Sequence, residues 1–521
     1  MPSVHAHNQV EAGAARPRTT PGSRRRGRRG ALFAAVASAL VTLPGGAAHA
    51  STRPAGAVNP GQLSWHSCAK TFECTTVPVP LDYSAPSAGT VKLAVVELRS
   101  TNPHPLGDLF MNPGGPGASG VQFLEGTPFP KALRASFNLV SWDPRGVGAS
   151  DPVTCEGAAG IRALVALPPA PTTPTQVNEV VKAAKAFDQA CAKNTPRSVL
   201  ENVSTVDTVR DLDRLRAALG QGKLDYFGFS YGTFIGETYA QMFPTHIRVM
   251  VLDGAMDPGL GMAATSAGQA KGFQTDLEDF FAWCPTNKTC SNELPLGAQT
   301  AYDQLMQGLA RGTRLYANLK PMYGGRQQVT LGVAETAVLG SLYSDQSWPY
   351  LAQGIATGLN GDGSLLAALA YSYQDLQPNG QFGNLSAANS AVNCLDQPYP
   401  KDLSAYQALA VKLAKVSPDF GASMAWGNLG CAYWPVPATG RAAPVHSSFG
   451  PHILVIGSTD DPATPYPWAQ AVSKQLGARL LTRKGPGHTG YLYSTCVQRY
   501  TNRYLVTKQL PPVGTVCPSS S

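Results

Sequence analysis

Residues 224 to 243 read LDYFGFSYGTFIGETYAQMF. They pass from a short apolar run, through a serine flanked by glycines, into helical spacing with no residues left over for a loop. A strand that turns directly into a helix must lay that helix back over its own sheet, which demands a layered α/β architecture. Gly228 and Gly232 relieve the crowding that so sharp a turn creates. Ser230, between them, is carried on the strand end with its hydroxyl exposed, the position of a nucleophile.

The surrounding chain alternates in the same way. Residues 91–100, 109–111 and 137–142 read as strands, and 204–220 is the clearest helix. There Ser204 and Asp207 give an S-x-x-D start, Val206, Val209, Leu212, Leu215 and Leu219 recur every three to four residues, and Gly220 ends the run. Strand 247–253 follows. From about 260 to 430 the alternation is lost among helical pieces and loops, which reads as an inserted, mainly helical cap. It returns with strand 452–457, a helix opening at Thr464 and Pro465, strand 479–482 and a helical stretch after His488. The predicted architecture is α/β: a mostly parallel sheet flanked by helices, its core over 51–260 and 431–521, with the cap over 261–430.

The first fifty residues stand apart. Arg24, Arg25, Arg26, Arg28 and Arg29 form a basic block, 31–44 a short apolar stretch, and AHA at 48–50 a small-x-small cleavage site. This predicts a secretory leader over 1–50, cleaved near Ala50, and an exported, extracellular chain beginning with a small, proline-rich stretch at 51–62. The apolar run falls short of the roughly 20 residues that a spanning helix needs, so no membrane insertion is expected. The leader holds seven arginines and one glutamate, so its removal takes the formal charge from +8 to about +2 and leaves no case for a nucleic-acid partner. All ten cysteines follow the leader. An even number in an exported chain favours disulfides, and none has the C-x-x-C spacing of a zinc site. Taken in order they pair 68 with 74, 155 with 191, 284 with 290, 394 with 431 and 496 with 517.

A serine hydroxyl needs a base to take its proton, and the base needs a carboxylate to orient it, in the chain order Ser, acid, His for this architecture. After the leader the histidines are 66, 104, 246, 446, 452 and 488. The first two precede Ser230, His246 opens the next strand, and His446 and His452 precede the strand that should deliver the acid. His488, in GPGHTG, is left. Asp460 and Asp461, on the loop after strand 452–457, compete for the acid. The oxyanion of an acyl transfer needs two N–H donors. Tyr231, directly after the serine, supplies one, and the loop FMNPGGPGASG (110–120) the other, with Gly114 and Gly115 as candidates and Gly115 preferred. That loop lacks the spacing of a phosphate cradle.

NPGGPGASG, SWDPRGVGAS (141–150), GFSYGT, DPATPYPWA and GPGHTG, in this order, resemble the secreted bacterial tripeptidyl aminopeptidases, α/β-hydrolase serine peptidases related to proline iminopeptidase. The resemblance spans about residues 60 to 500. It implies the triad Ser230, Asp461 and His488, because the family's acid is the aspartate of D-P-x-T-P. It also implies a helical cap and the release of short peptides, tripeptides foremost, from peptide or protein substrates with free N-termini. No metal or organic cofactor is implied. Asp143 and Arg145 are expected to form an internal ion pair. A carboxylate in the cap should meet the substrate's ammonium group, with Asp345, Asp375 and Asp396 as candidates. Because a triad serves ester and amide chemistry alike, a secreted esterase or an endopeptidase is the alternative.

Overall fold

A computed structural model of the chain describes residues 63–519. The leader expected over 1–50, its cleavage near Ala50 and the stretch 51–62 lie outside the described residues. Among those residues there are twelve strands: β1 (His66–Ala69), β2 (Phe72–Pro80), β3 (Thr90–Leu98), β4 (Asp108–Asn112), β5 (Asn138–Trp142), β6 (Leu224–Phe229), β7 (Ile247–Asp253), β8 (Leu315–Asn318), β9 (Arg326–Val329), β10 (Leu454–Asp460), β11 (Arg479–Pro486) and β12 (Val516–Cys517). Ten form one sheet in the order β1-β2-β3-β5-β4-β6-β7-β10-β11-β12. From β5 to β12 every neighbour in it is parallel, and only β1, β2, β3 and β5 pair antiparallel.

This division follows from the residues. β4 (DLFMN) and β6 (LDYFGF) are buried at every position, as strands must be where helices cover both faces of a parallel sheet. Leu109 and Met111 enter the core on one face with Phe227 and Ile456, while Phe110 enters the other with Trp142 and Tyr226. β2 alternates buried and exposed residues over its second half, the pattern of a strand with one wet face.

The helices used below are α1 (Gly120–Gly126), α2 (Thr205–Ala218), α3 (Tyr231–Met242), α4 (Met262–Trp283), α5 (Leu385–Asp396), α6 (Tyr466–Leu476) and α7 (Thr495–Thr507). In α2 the Ser204 hydroxyl accepts the Asp207 N–H, and Val209, Leu212 and Leu215 are buried. Between β7 and β10 the chain leaves the sheet. The helices from α4 to about residue 373 and the β8–β9 hairpin share a core that includes Leu277, Phe280, Trp348, Leu351 and Ile355, whereas α5 packs in a second cluster through Ala387, Ala391 and Leu395. No helix among the described residues is long and apolar enough to cross a membrane.

All ten cysteines are paired as their order in the chain predicts. Cys155–Cys191 and Cys394–Cys431, separated by 36 and 37 residues, restrict the unfolded chain most. Cys496–Cys517 ties α7 to β12, the two-residue strand that finishes the β11 edge.

One expectation is corrected. Arg145 does not pair with Asp143. Its Nη2 and Nε grip the two oxygens of Asp211 at 2.6 and 2.7 Å, and its remaining donors reach the carbonyls of Pro80, Leu81 and Asn202. Asp143 instead accepts from Ser119 Oγ, Ala149 N and Val121 N at 2.6, 2.8 and 3.2 Å. Each buried charge thereby finds a full set of partners, which a single bond between the two could not supply.

Both side chains of the Arg145–Asp211 pair are 0% exposed. Removing one partner from such a pair leaves the other charge unpaired, at a cost of about 3–5 kcal/mol. Asp211→Asn should lower unfolding free energy by about that amount in urea denaturation. A midpoint equal to that of the unaltered chain would show that the pair does not hold the fold.

Candidate active site

Ser230 joins β6 to α3 with φ 55° and ψ −128°, a strained backbone for a residue with a side chain. The close approach of three segments enforces it. A Cβ on Gly228 would lie 2.2 Å from Gly232 O, and one on Gly232 would lie 2.5 Å from Asn112 O. The Ser230 N–H donates to Asp253 O at 2.9 Å, and its carbonyl accepts from Thr233 N and Oγ1. Although Ser230 occupies the position before a helix, its hydroxyl makes no capping bond. It is therefore free for chemistry.

His488 and Asp461 meet on the loops after β11 and β10. His488 Nδ1 lies 2.9 and 3.0 Å from the two Asp461 oxygens, with the residues 4% and 2% exposed. Asp461 also accepts from Ala463 N, Thr464 N, Thr464 Oγ1 and Thr489 N at 2.8–3.1 Å. A carboxylate only accepts, so the Nδ1 proton belongs to this contact and Nε2 carries the lone pair. Nε2 is buried and has no hydrogen-bond partner. Asp460 makes no bond to the histidine. Its carboxylate is bonded by its neighbour Thr459, and its backbone carbonyl accepts from Gly487 N.

Two residues that the sequence did not single out align these parts. Asp253, at the end of β7, receives the Ser230 N–H on its backbone carbonyl and the Gly490 and Tyr491 N–H groups on its carboxylate, both at 2.8 Å. Burial pushes that carboxyl up to about 7. Tyr343, from the helical insertion, accepts the His488 N–H on its carbonyl at 2.9 Å and sets its ring edge-on to the imidazole, with centroids 5.4 Å apart. Neither residue belongs to a local pattern that marks such a role.

The glycine loop after β4 packs directly on the serine turn. A Cβ on Gly114 would lie 2.6 Å from Phe229 O and 2.8 Å from Tyr231 N. The Gly114 N–H is spent on Asn112 Oδ1 at 2.9 Å. The N–H groups of Gly115 and Tyr231 have no acceptor among the described residues, which leaves those two available together. Of the three acids considered for a substrate amine, Asp396 has both oxygens engaged by Thr205. Asp375 is half-buried and bonded by Gln377, and burial pushes it up to about 6. Asp345 is exposed, two residues beyond Tyr343. Three potential metal-ligating groups, Cys68, Cys74 and Glu125, lie together, but the two sulfurs are bonded to each other and are not thiolates.

The mostly parallel sheet with a free serine at a strand-to-helix turn is that of an α/β hydrolase, and residues 109–293 match the family model described as alpha/beta hydrolase fold. Residues 417–517 match a second, described as TAP-like protein. The chain is 33% identical over 456 residues to serine protease Hip1 of Mycobacterium tuberculosis, covering 85% of this chain and 87% of that protein. It is 34% identical over 503 residues to carboxylesterase B of the same organism, covering 90% and 94%. With the tripeptidyl aminopeptidase of Streptomyces lividans the identity is 30% over 495 residues, covering 91% and 89%. The chain is a serine hydrolase of the α/β-hydrolase fold. Within that class it belongs to the bacterial tripeptidyl aminopeptidase-like hydrolases.

Beside the acid loop stands a further carboxyl. α4 runs close against that loop: a Cβ on Gly272 would lie 2.6 Å from Pro462 O, and Gln269 Nε2 donates to Ala463 O at 3.0 Å. Asp276, on the same helix, is 0% exposed, and the Gly487 N–H that bears on its carboxyl is bonded to the Asp460 carbonyl instead. Burial pushes it well above the usual carboxylate range, and Asp279, Asp461 and Asp460 add to the push. The folded chain therefore keeps a proton that the unfolded chain releases near pH 3.9, and the contribution of this group to stability falls as pH rises above about 4. Asp276→Asn removes that loss. The melting-temperature difference, variant minus unaltered chain, should be near zero around pH 4 and grow positive toward about pH 8. A flat or negative trend would contradict the account.

Proposed function

We propose that this chain is a secreted serine exopeptidase that releases short peptides, tripeptides foremost, from free N-termini through an acyl-enzyme on Ser230. One observation carries the reading. Asp461 claims the Nδ1 proton of His488, which leaves the basic Nε2 buried and unpaired. The imidazole is close to the serine turn: a Cβ on Gly254, directly after the residue that holds the Ser230 N–H, would lie 3.2 Å from His488 Cε1.

In this mechanism His488 Nε2 takes the Ser230 proton as Oγ attacks the scissile carbonyl. The N–H groups of Tyr231 and Gly115 receive the oxyanion, a contact that strengthens as charge develops. His488 then protonates the leaving amine, and water repeats the sequence to free the acyl peptide. Asp461 holds the imidazole in the right tautomer and stabilises its charged form. The chemistry calls for no metal or organic cofactor. Residues 261–430 serve as the cap over the site, and with Asp396 engaged by Thr205 the substrate amine falls to Asp345 or Asp375. Relatives named serine protease and tripeptidyl aminopeptidase support peptide substrates. The five disulfides and the N-terminal leader pattern support export. The relative named carboxylesterase B supports a second reading, an esterase with the same triad.

The test compares a three-residue chromogenic amide with a free N-terminus, its N-acetylated twin and the matching ester. Turnover of the free amide, loss of the acetylated one and a fall of about 10⁵-fold in Ser230→Ala are expected. Equal turnover of both amides would replace the exopeptidase by an endopeptidase, and turnover of the ester alone would establish the esterase.

A further inference from the structure

α5 touches the site at two points. Asn389 Nδ2 donates to Pro116 O at 3.1 Å, and a Cβ on Gly117 would meet Leu385 O at 2.8 Å and Asn389 N at 2.9 Å. The helix thus lies directly on the loop that carries Gly115. At its C-terminal end, Asp396 receives the Thr205 N–H on Oδ1 at 2.9 Å and the Thr205 hydroxyl on Oδ2 at 2.5 Å. Thr205 Oγ1 is bonded in turn to the Tyr231 hydroxyl.

The direction of that chain follows from its end. Asp396 takes the Thr205 N–H on one oxygen and the Thr205 hydroxyl on the other, so both of its oxygens act as acceptors here. Thr205 has one hydroxyl proton and gives it to Asp396. Tyr231 must therefore donate its own to Thr205. The Tyr231 ring is otherwise packed among apolar residues, 4% exposed, so this hydroxyl is its polar anchor. The same residue presents the free backbone N–H beside Ser230. Asp396 is itself held firmly, since Cys394, two residues earlier, is bonded to Cys431.

We propose that α5 braces both backbone donors of the oxyanion site, and that Asp396 is a positioning residue that fixes the Tyr231 N–H through Thr205. The proposal rests on the acyl-transfer reading of Ser230. Asp396 touches neither substrate nor reacting atoms in this scheme. It sets the direction of a donor whose complete loss costs an enzyme of this type about 10²–10³ in rate.

The experiment measures kcat and KM on the chromogenic amide, together with the affinity of a peptide boronic acid whose tetrahedral serine adduct fills the oxyanion site. The variants are Tyr231→Phe, Thr205→Val, Thr205→Ser and Asp396→Asn in the full-length exported protein. Tyr231→Phe, Thr205→Val and Asp396→Asn should each lower kcat about 10-fold with KM nearly unchanged, and boronate affinity should fall in step. Thr205→Ser should recover most of what Thr205→Val loses, and combining Tyr231→Phe with Asp396→Asn should be no worse than the worse single change. If Asp396→Asn does not fold, Tyr231→Phe and the two Thr205 variants carry the test alone. Unchanged kcat and boronate affinity, or a loss confined to KM, would overturn the brace. An unaltered enzyme that does not bind the boronate, or a Ser230→Ala variant that still turns over, would overturn the acyl-transfer reading and the brace with it.

Discussion

Asp253 is the point on which the site's geometry depends. Its backbone carbonyl holds the serine turn, and its carboxylate holds the two residues that follow the histidine loop. The segments it joins, at Ser230 and at Gly490, are remote in the chain, so no local preference could bring them into register. The burial of β7 between β6 and β10 does so. A central strand fixed on both sides and both faces gives its terminal residue little freedom to move, and a precise site can be built on that end.

The helical insertion packs on the loops that form the site. α4 presses on the acid loop, Tyr343 holds the backbone of His488, and α5 lies on the glycine loop. The loops after three different strands thus have an insertion residue as a direct packing partner. Any shift of that layer would be felt by Asp461, His488 and the loop that carries Gly115 together. Close packing transmits such displacements because interiors contain few voids to absorb them.

The central strands were legible because burial on both faces writes itself as a continuous apolar run. The bounds read for 224–229 and 247–253 coincide with β6 and β7. The cysteine pairs were legible from order alone. The antiparallel β1–β2 edge is not legible in the sequence, since β1 has four residues, none of them buried, and the wet face of β2 breaks its apolar run. α3 begins at Tyr231, two residues ahead of its first clear helical spacing, because the serine turn hides its start. Asp143 and Arg145 illustrate a general obstacle: both are charged, both are buried, and proximity in sequence suggested a pair. The partner of Arg145 lies 66 residues on, and that of Asp396 lies 191 residues back. A long-range polar contact leaves no period or spacing for a reader to find.

The last strand of the sheet has only two residues, and Cys496–Cys517 binds it to α7. Without that bond β12 would keep only two ladder positions on β11, and a sheet edge so thinly covered is open to pairing with another strand. β11 leads straight into the histidine loop. Oxidation therefore acts as a finishing stitch: it fastens β12 against Thr482 and Arg483, midway along the strand that runs into the histidine loop.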